Sequence, residues 1–250
     1  MSDFGGKIAL VTGAGSGIGR ETALFFARAG ARVACADLNE EALDETLGFI
    51  RQKGGDGIAI PADLSTPEAC EMVVAKTVEG LGGLHHAFNN AGVAGSFGDR
   101  LWDADGIHRT LSVNLEAVIW GMKHQIAHMI ANGGGTIVNT ASIAGISGNV
   151  GTLDYTAAKH GVVGFSKAAA MMYGPQGIRI NVVCPGLIQT GMTTIEGRPI
   201  TEAGLKKLSP VTGQMGEPAD IAEAVLWLSS QKSKFVYGIA LPVDGGFSIN

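Results

Sequence analysis

The sequence predicts an α/β fold, a single doubly wound domain in which a seven-stranded parallel sheet is flanked by helices. Short apolar segments rich in strand-forming residues alternate with longer helical segments along all 250 residues. No linker, charge block or low-complexity tract divides the chain, so residues 1–250 are predicted to form one domain. Six motif positions lie at the ends of predicted strands, which share the edge where this fold class binds ligands: Thr12, Asp37, Asp63, Asn89, Ser142 and Pro185.

Seven strands and six longer helices are expected in alternation. The strands are predicted near residues 7–12, 32–37, 57–62, 84–89, 135–141, 178–184 and 238–243. The helices are predicted near residues 17–29, 39–52, 67–79, 103–131, 153–173 and 217–230.

The first strand is followed by a glycine-rich loop and a helix, the context that a dinucleotide fingerprint requires. The loop reads Gly13-Ala14-Gly15-Ser16-Gly17-Ile18-Gly19, a Gly-x-x-x-Gly-x-Gly spacing that is one residue longer overall than the common Gly-x-Gly-x-x-Gly. Glycine permits the tight turn and the close approach of a pyrophosphate. The helix start adds unpaired N–H groups and the positive end of the helix dipole.

The second strand ends in Asp37, 18 residues after Gly19. A carboxylate there can accept hydrogen bonds from the adenosine ribose and would repel a 2′-phosphate. No Lys or Arg occupies residues 14–18 or directly follows Asp37, so NAD is predicted rather than NADP. The alternative is an acid in a surface turn.

A tyrosine and a lysine stand four residues apart, Tyr155 and Lys159, with Ser142 thirteen residues before the tyrosine. On a helix, positions i and i+4 share a face. A cation at ~4 Å is worth roughly 4 kcal/mol at an effective dielectric of ~20, enough to lower the phenol pKa from ~10 by about 3 units. A group with a pKa near ~7 is well suited to proton transfer. This pair also occurs by chance in helices, so it carries weight only beside the glycine loop.

These motifs together resemble the short-chain dehydrogenase/reductase family, in its short, single-domain branch. Further matches are Asp63-Leu64, Asn89-Asn90-Ala91-Gly92, Asn114 and Pro185-Gly186-Leu187-Ile188-Gln189-Thr190, so the resemblance covers essentially the whole chain. It implies a Rossmann-type fold, and a catalytic tetrad of Asn114, Ser142, Tyr155 and Lys159. It implies cofactor contacts at Gly13, Ser16, Gly17, Ile18, Gly19, Asp37, Asp63, Leu64, Asn90, Gly92, Tyr155, Lys159, Pro185, Gly186, Ile188 and Thr190.

The mechanism implied is NAD-dependent interconversion of a secondary alcohol and a ketone. Tyr155, as phenolate, takes the hydroxyl proton while Ser142 bonds the substrate oxygen and hydride passes to the nicotinamide. Lys159 bonds the nicotinamide ribose, and the Asn114 backbone holds a water that relays the proton. Two alternatives remain open: a reductase of 3-oxoacyl groups on a carrier protein, and a nucleotide-sensing module without turnover.

The substrate pocket is predicted to be mostly apolar. Apolar residues lie in or beside the motif segments: Val93, Ile143, Leu153, Leu187, Ile188 and Met192. They favour an uncharged secondary alcohol or ketone, cyclic ones included. Residues 191–212 are expected to form a lid. Its Arg198 is a candidate partner for a substrate carboxylate, although a solvated lid residue is the more common case.

Charge and composition limit the kinds of partner that this protein is expected to bind. A net charge of −5 without a basic stripe argues against nucleic acid. No apolar segment approaches the roughly 18 residues of a membrane span, and no secretory signal is recognised, so the cytoplasm is expected. The three cysteines are interpreted as reduced thiols, and no metal site is predicted because His124 and His128 lack an acidic neighbour. The family resemblance implies a homotetramer, packed through helices 103–131 and 153–173.

Overall fold

The computed structural model describes residues 4–148, 152–193 and 201–249. Seven strands form one sheet, all parallel, in the order β3-β2-β1-β4-β5-β6-β7. Their bounds are β1 Ile8–Thr12, β2 Arg32–Asp37, β3 Gly57–Pro61, β4 His86–Asn89, β5 Gly135–Thr140, β6 Ile178–Pro185 and β7 Ala240–Val243. The predicted seven-stranded parallel sheet is confirmed, with strand ends shifted by one or two residues.

Helices cover both faces of the sheet. The α-helices are α1 Gly17–Arg28, α2 Glu40–Gln52, α3 Pro67–Leu81, α4 Ala104–Leu111, α5 Ala117–Ala131, α6 Leu153–Tyr173, α7 Glu202–Leu208 and α8 Pro218–Ser229. One apolar core lies under α3, α5 and α6, and the other under α1, α2 and α8. Both faces of the sheet are therefore buried, which is why β1 and β6 consist entirely of buried residues.

Two helical features were not predicted from the sequence. The helix predicted over 103–131 is continuous but changes to a π-helix at Ser112–Glu116, between α4 and α5. The segment predicted as a lid contains the short helix α7, which the Thr201 hydroxyl caps by accepting a hydrogen bond from the Gly204 N–H. Part of the predicted lid, residues 194–200 with Arg198, lies outside the described residues.

Local sequence signals account for several helix ends. The Asn39 side chain accepts a hydrogen bond from the Ala42 N–H at the start of α2, and Thr66 does the same for Ala69 at the start of α3. Helix α3 has Pro67 in its first turn and ends at Gly82 in the left-handed conformation, with φ of 86°. In the described ranges, no helix combines the length and apolar character needed to span a bilayer.

A buried arginine joins β6 to the end of α8. The Arg179 guanidinium donates hydrogen bonds to the carbonyls of Leu228, Ser230 and Ser233 and to the Ser233 hydroxyl. A cation at a helix carboxyl end satisfies carbonyls that the helix leaves unpaired and opposes the negative end of the dipole. The contact fixes α8 at the edge of the sheet opposite the strand carboxyl ends.

An aromatic cluster closes that same edge around His86. The ring of Phe4 meets those of Phe26 and His86 edge-on, with centroid separations of 5.2 Å and 5.0 Å. The Nδ1 atom of His86 lies 2.7 Å from the Thr136 hydroxyl. Burial, together with the positive charge of His85, Lys7 and Arg179, lowers the pKa of His86 to about 3. His86 is therefore neutral in the folded protein at neutral and mildly acidic pH.

This burial predicts acid sensitivity. Below pH ~6.5, His86 becomes protonated in the unfolded chain but stays neutral in the folded chain. The free energy of unfolding therefore decreases, through this one group, by up to about 1.4 kcal/mol for each unit by which the pH is lowered. We expect His86→Phe to flatten that slope between pH 6.5 and pH 4, measured by urea unfolding. His160→Phe, at an exposed position, is the control. Equal slopes in the wild type and His86→Phe would contradict the assignment.

Candidate active site

The glycine loop turns from β1 into α1 and leaves an anion-binding helix start. Gly13 and Gly17 have φ of 67° and 52°, in the left-handed region. A Cβ on Gly19 would lie 2.0 Å from the Gly13 carbonyl oxygen, so only glycine allows this turn. The Ser16 side chain makes no capping hydrogen bond, and the first turn of α1 carries no acid. A pyrophosphate therefore fits here on both geometry and charge.

Asp37 anchors the loop from the end of β2. Its carboxylate accepts a hydrogen bond from the Gly15 N–H at 2.9 Å and one from the Asn39 N–H at 3.0 Å. Arg20, which the motif analysis did not single out, reaches from α1 to the Gly15 carbonyl and pairs with Glu45 of α2 at 2.6 Å. The cation nearest the loop is therefore paired with a carboxylate on α2.

Hydrogen bonds join the carboxyl ends of three neighbouring strands. The Thr12 hydroxyl at the end of β1 accepts from the Asn90 N–H at 2.9 Å and the Ala91 N–H at 3.1 Å. The Asn90 amide donates to the Thr12 carbonyl, and its oxygen accepts from the Thr140 hydroxyl. Asn90 therefore connects β1, β4 and β5 at the carboxyl edge of the sheet.

Asn114 lies in the π-helical turn and is fully buried. Its carboxamide forms a two-way bond with the Val93 backbone, accepting from the N–H at 3.1 Å and donating to the carbonyl at 3.0 Å. A Cβ on Gly92 would lie 2.7 Å from the Asn114 Oδ1 and 3.8 Å from the Lys159 Nζ. Gly92 therefore permits the approach of Asn114 and Lys159, and π-turns of this kind often occur at functional sites.

Ser142, Tyr155 and Lys159 converge as predicted from their spacing. Ser142 follows β5 and accepts from the Ala144 N–H, while its side chain is hydrogen-bonded to Tyr155. Lys159 donates to the Thr140 carbonyl at 2.9 Å, and its Nζ lies 5.5 Å from the centre of the Tyr155 ring. The lysine is only 3% exposed, and no carboxylate in the described part of the chain pairs with it.

The prediction that Lys159 lowers the pKa of the Tyr155 phenol is wrong when only the protein's own groups act on that phenol. Burial raises the pKa of Tyr155, and the hydrogen bond from Ser142 offsets this only in part. The lysine does not dominate because burial lowers its own pKa to about 8 and its ammonium is directed to the Thr140 carbonyl. The spacing argument counted only the attraction of a cation close to the phenol. In the structure, desolvation also acts on both groups and disfavours the charged form of each.

The remaining predicted cofactor residues line the same edge. Asp63 is exposed after β3, whereas the side chain of Leu64 packs in the core, which leaves its backbone for contact. Pro185 ends β6, and a Cβ on Gly186 would meet the Asp244 backbone at 2.6 Å. The side chain of Ile188 is buried, and a Cβ on Gly17 would lie 3.1 Å from the Thr190 methyl group. Ile18 is half-buried behind the loop.

Comparison with known proteins decides the family. The family profile described as enoyl-(acyl carrier protein) reductase matches residues 13–248. The chain is 42% identical over 246 residues to a cyclohexanol dehydrogenase of Acinetobacter sp. strain SE19, covering 98% of this chain and 96% of the relative. The chain belongs to the short-chain dehydrogenase/reductase family.

Two further similarities agree with this membership. A 2,5-dichloro-2,5-cyclohexadiene-1,4-diol dehydrogenase of Sphingobium indicum is 38% identical over 253 residues, which cover 99% of both chains. The crystal structure of a proposed 2-deoxy-d-gluconate 3-dehydrogenase of Agrobacterium tumefaciens, with bound NADP, superposes with a TM-score of 0.88 at 33% identity, covering 98% of each chain. The predicted family, fold and enzyme class, an oxidoreductase of the short-chain type, are confirmed.

One residue of this short-chain dehydrogenase escaped the motif analysis although it precedes Tyr155. Asp154 is 6% exposed and accepts hydrogen bonds from the N–H groups of Ser96 and Tyr155 and from the Thr152 hydroxyl. The sequence signal that could have identified Asp154 is its position as an acid in the first turn of a helix, where a negative charge is stabilising. No group of three or more His, Cys, Asp or Glu side chains within the described ranges is arranged to hold a metal ion.

The contact between Gly19 and the Gly13 carbonyl makes a testable prediction for cofactor binding. We expect Gly19→Ala to weaken NADH binding at least about tenfold, because the added methyl group forces the loop open and spoils the approach of the pyrophosphate. NADH fluorescence titration measures the effect. Gly48→Ala is the matched control, since a Cβ at Gly48 in α2 meets nothing within 4 Å. Equal affinity in both variants would count against the phosphate site.

Proposed function

We propose that this enzyme is an NAD-dependent oxidoreductase that interconverts a secondary alcohol and a ketone, with Tyr155 as the acid and base. The observation that carries the proposal is the convergence of half-buried Ser142 and Tyr155 with buried Lys159 at the carboxyl end of β5, beside a glycine loop suited to a dinucleotide. Interconversion of alcohols and ketones is also the activity that the names of similar dehydrogenases suggest.

Ser142 and Tyr155 handle the substrate oxygen and its proton. The Ser142 hydroxyl oxygen accepts from the Ala144 N–H, so its proton is directed outward, and the bond that lowers the Tyr155 pKa is one donated to the phenol oxygen. In oxidation, Tyr155 accepts the hydroxyl proton of the alcohol; in reduction, it returns a proton to the carbonyl oxygen. Ser142 holds that oxygen against the phenol in both directions.

Lys159 supplies the fixed charge next to this pair. It uses one of its three N–H donors on the Thr140 carbonyl, which leaves two for the nicotinamide ribose and the proton path toward Asn114. A bound nicotinamide would supply the acceptor for the carbon-bound hydrogen as hydride. Because burial makes both Tyr155 and Lys159 sensitive to added charge, Tyr155 would be more readily deprotonated beside a positively charged oxidised nicotinamide.

NAD is the proposed cofactor, held by the residues of the loop and strand ends named above. The Asp37 carboxylate is fixed by two backbone N–H groups at the ribose end of the loop, and Arg20 is paired with Glu45. Both observations disfavour a 2′-phosphate. The bound NADP belongs to one solved relative and leaves the choice to be tested in this chain.

A ring-shaped secondary alcohol is the proposed substrate class. Two relatives are named for six-membered ring alcohols, and large apolar side chains stand exposed near the tetrad at Phe97, Leu153 and Met192. A panel of linear, cyclic, aromatic, sugar and 3-hydroxyacyl compounds, assayed with NAD and NADP in parallel, tests this directly. Turnover of cyclic alcohols with NAD is expected, and activity confined to other classes would contradict it.

Reduction of a 3-oxoacyl group on a carrier protein is the second candidate, because the matching family profile is described for a reductase of carrier-bound acyl groups, although one that acts on an enoyl double bond. Under this reading the protein would act on 3-oxoacyl groups attached to a carrier protein. Turnover only with 3-hydroxyacyl thioesters in the panel would favour it. The tetramer, the lid over 191–212, the single-domain boundaries and the cytoplasmic location stay predictions, and light scattering at micromolar concentration tests the first of them.

Tyr155→Phe is the sharpest test of the mechanism. Removing the hydroxyl removes the proton acceptor, so we expect kcat to fall by at least about 100-fold while NADH binding stays within about twofold. In the wild type, alcohol oxidation should rise with pH, because the raised Tyr155 pKa keeps the phenol protonated at neutral pH. Stopped-flow turnover measures kcat and its pH dependence, and NADH titration measures cofactor binding. Full activity in Tyr155→Phe would overturn the mechanism.

Asp37 provides the test of cofactor choice. We expect Asp37→Ala to reduce the ratio of kcat/KM for NAD over NADP by about tenfold or more, since the variant loses both the ribose acceptor and the repulsion of a 2′-phosphate. Asp44→Asn, which removes an exposed carboxylate from α2, is the control. A wild type that already prefers NADP would contradict the proposal before any variant is made.

A further inference from the structure

The carboxylate of Asp154 is an unusual buried charge at the start of α6. It accepts from the Ser96 N–H with both oxygens, at 3.0 Å and 3.3 Å, and from the Tyr155 N–H at 2.8 Å. No lysine or arginine in the described parts of the chain pairs with it. Burial alone would raise its pKa, but hydrogen bonds from Thr152, Ser96, Thr110 and Tyr155 outweigh burial and lower the pKa to about 2. The charge is therefore held by donors from separate segments.

Those donors come from three segments: Thr110 lies in α4, and the other donors connect two segments that are far apart in sequence. Ser96 belongs to the stretch that leaves β4 after Gly92, whereas Thr152 and Tyr155 begin α6. The same stretch is tied at Val93 by the Asn114 carboxamide. Residues 93–96 are thus fixed at both ends, once by a residue of the tetrad and once by the neighbour of Tyr155.

Gly95 shows how closely this stretch approaches α6. A Cβ there would lie 1.8 Å from the Thr152 hydroxyl oxygen, 2.5 Å from the Asp154 Oδ1 and 2.9 Å from the Tyr155 Cβ. No side chain fits between the backbone at Gly95 and the first turn of α6. The large apolar side chains of Phe97, 62% exposed, and Leu153, 55% exposed, directly follow Ser96 and precede Asp154 in the sequence, respectively.

We propose that Asp154 is a positioning residue for the reaction, which ties residues 93–97 to the first turn of α6 and so sets the distance between the Tyr155 phenol and one wall of the substrate pocket. The proposal rests on the proposed function. It assigns Asp154 an effect on the alcohol or ketone and none on the cofactor, whose loop lies on the other side of β4 and makes no contact with Asp154. Phe97 and Leu153 then face the substrate from the two joined segments.

Two variants loosen the contact in different ways. Asp154→Asn keeps the shape but replaces an acceptor by an NH₂ group that cannot accept from the Ser96 N–H. Gly95→Ala keeps the carboxylate but pushes the stretch away from α6. For both we expect the KM of the best cyclic alcohol to rise about five- to tenfold, with the KM of NAD changed less than about twofold. Asp44→Asn and Gly48→Ala are matched controls that should leave both values unchanged.

Amide hydrogen exchange supplies a readout that does not depend on activity. In both variants, peptides spanning residues 93–100 should exchange at least about tenfold faster, while peptides from the glycine loop should not. If the wild type turns over no alcohol while both variants show this exchange pattern, the proposed function is wrong but Asp154 still ties residues 93–97 to α6. Turnover in the wild type with an unchanged alcohol KM in both variants would overturn the positioning role. A loss confined to melting temperature would likewise reduce Asp154 to a helix cap and overturn it.

Discussion

The site depends on one set of hydrogen bonds that joins the carboxyl ends of neighbouring strands. The Thr12 hydroxyl accepts two N–H groups that follow β4, Asn90 bonds Thr140 at the end of β5, and the Thr140 carbonyl accepts the Lys159 ammonium. Parallel strands bring these residues to one edge, but the side chains set their heights relative to one another. The glycine loop and the lysine are thereby held in one rigid frame, although they are separated by 140 residues of sequence.

Burial gives this frame its chemistry and also its instability. Lys159 is almost completely enclosed with a carbonyl as its partner, and half-buried Tyr155 lies beside it, so desolvation moves each pKa toward the neutral form of its group. Enclosing a cation without a carboxylate lowers folding stability, as is common for preorganised sites. The same low polarity makes both groups respond strongly to a charge brought by a ligand. Under the proposed mechanism, a bound cofactor would supply the rest of this tuning.

Strand order and motif spacing made much of the architecture predictable. The seven strands, the glycine turn and the convergence of Ser142, Tyr155 and Lys159 all follow from patterns within short stretches of sequence. The π-helical turn at Asn114 was not predictable, because it arises from packing against Val93 and not from helix propensity. The predicted lowering of the Tyr155 pKa was wrong because burial, which spacing does not report, raises that pKa by more than the Ser142 hydrogen bond lowers it. Asp154 was overlooked because its partner Ser96 is 58 residues away.

The two halves of the site are built by different means, and this bears on specificity. The proposed cofactor half is fixed by strand register, by glycine turns and by the side-chain hydrogen bonds of Thr12, Asp37 and Asn90. On the substrate side, residues 93–97 belong to no strand and are positioned by two side chains, Asn114 and Asp154. A change at either tie shifts that wall without disturbing the frame that holds Lys159. In this chain, Asp154 accepts a hydrogen bond directly from the Tyr155 N–H, so a change at this tie has a short route to the tyrosine.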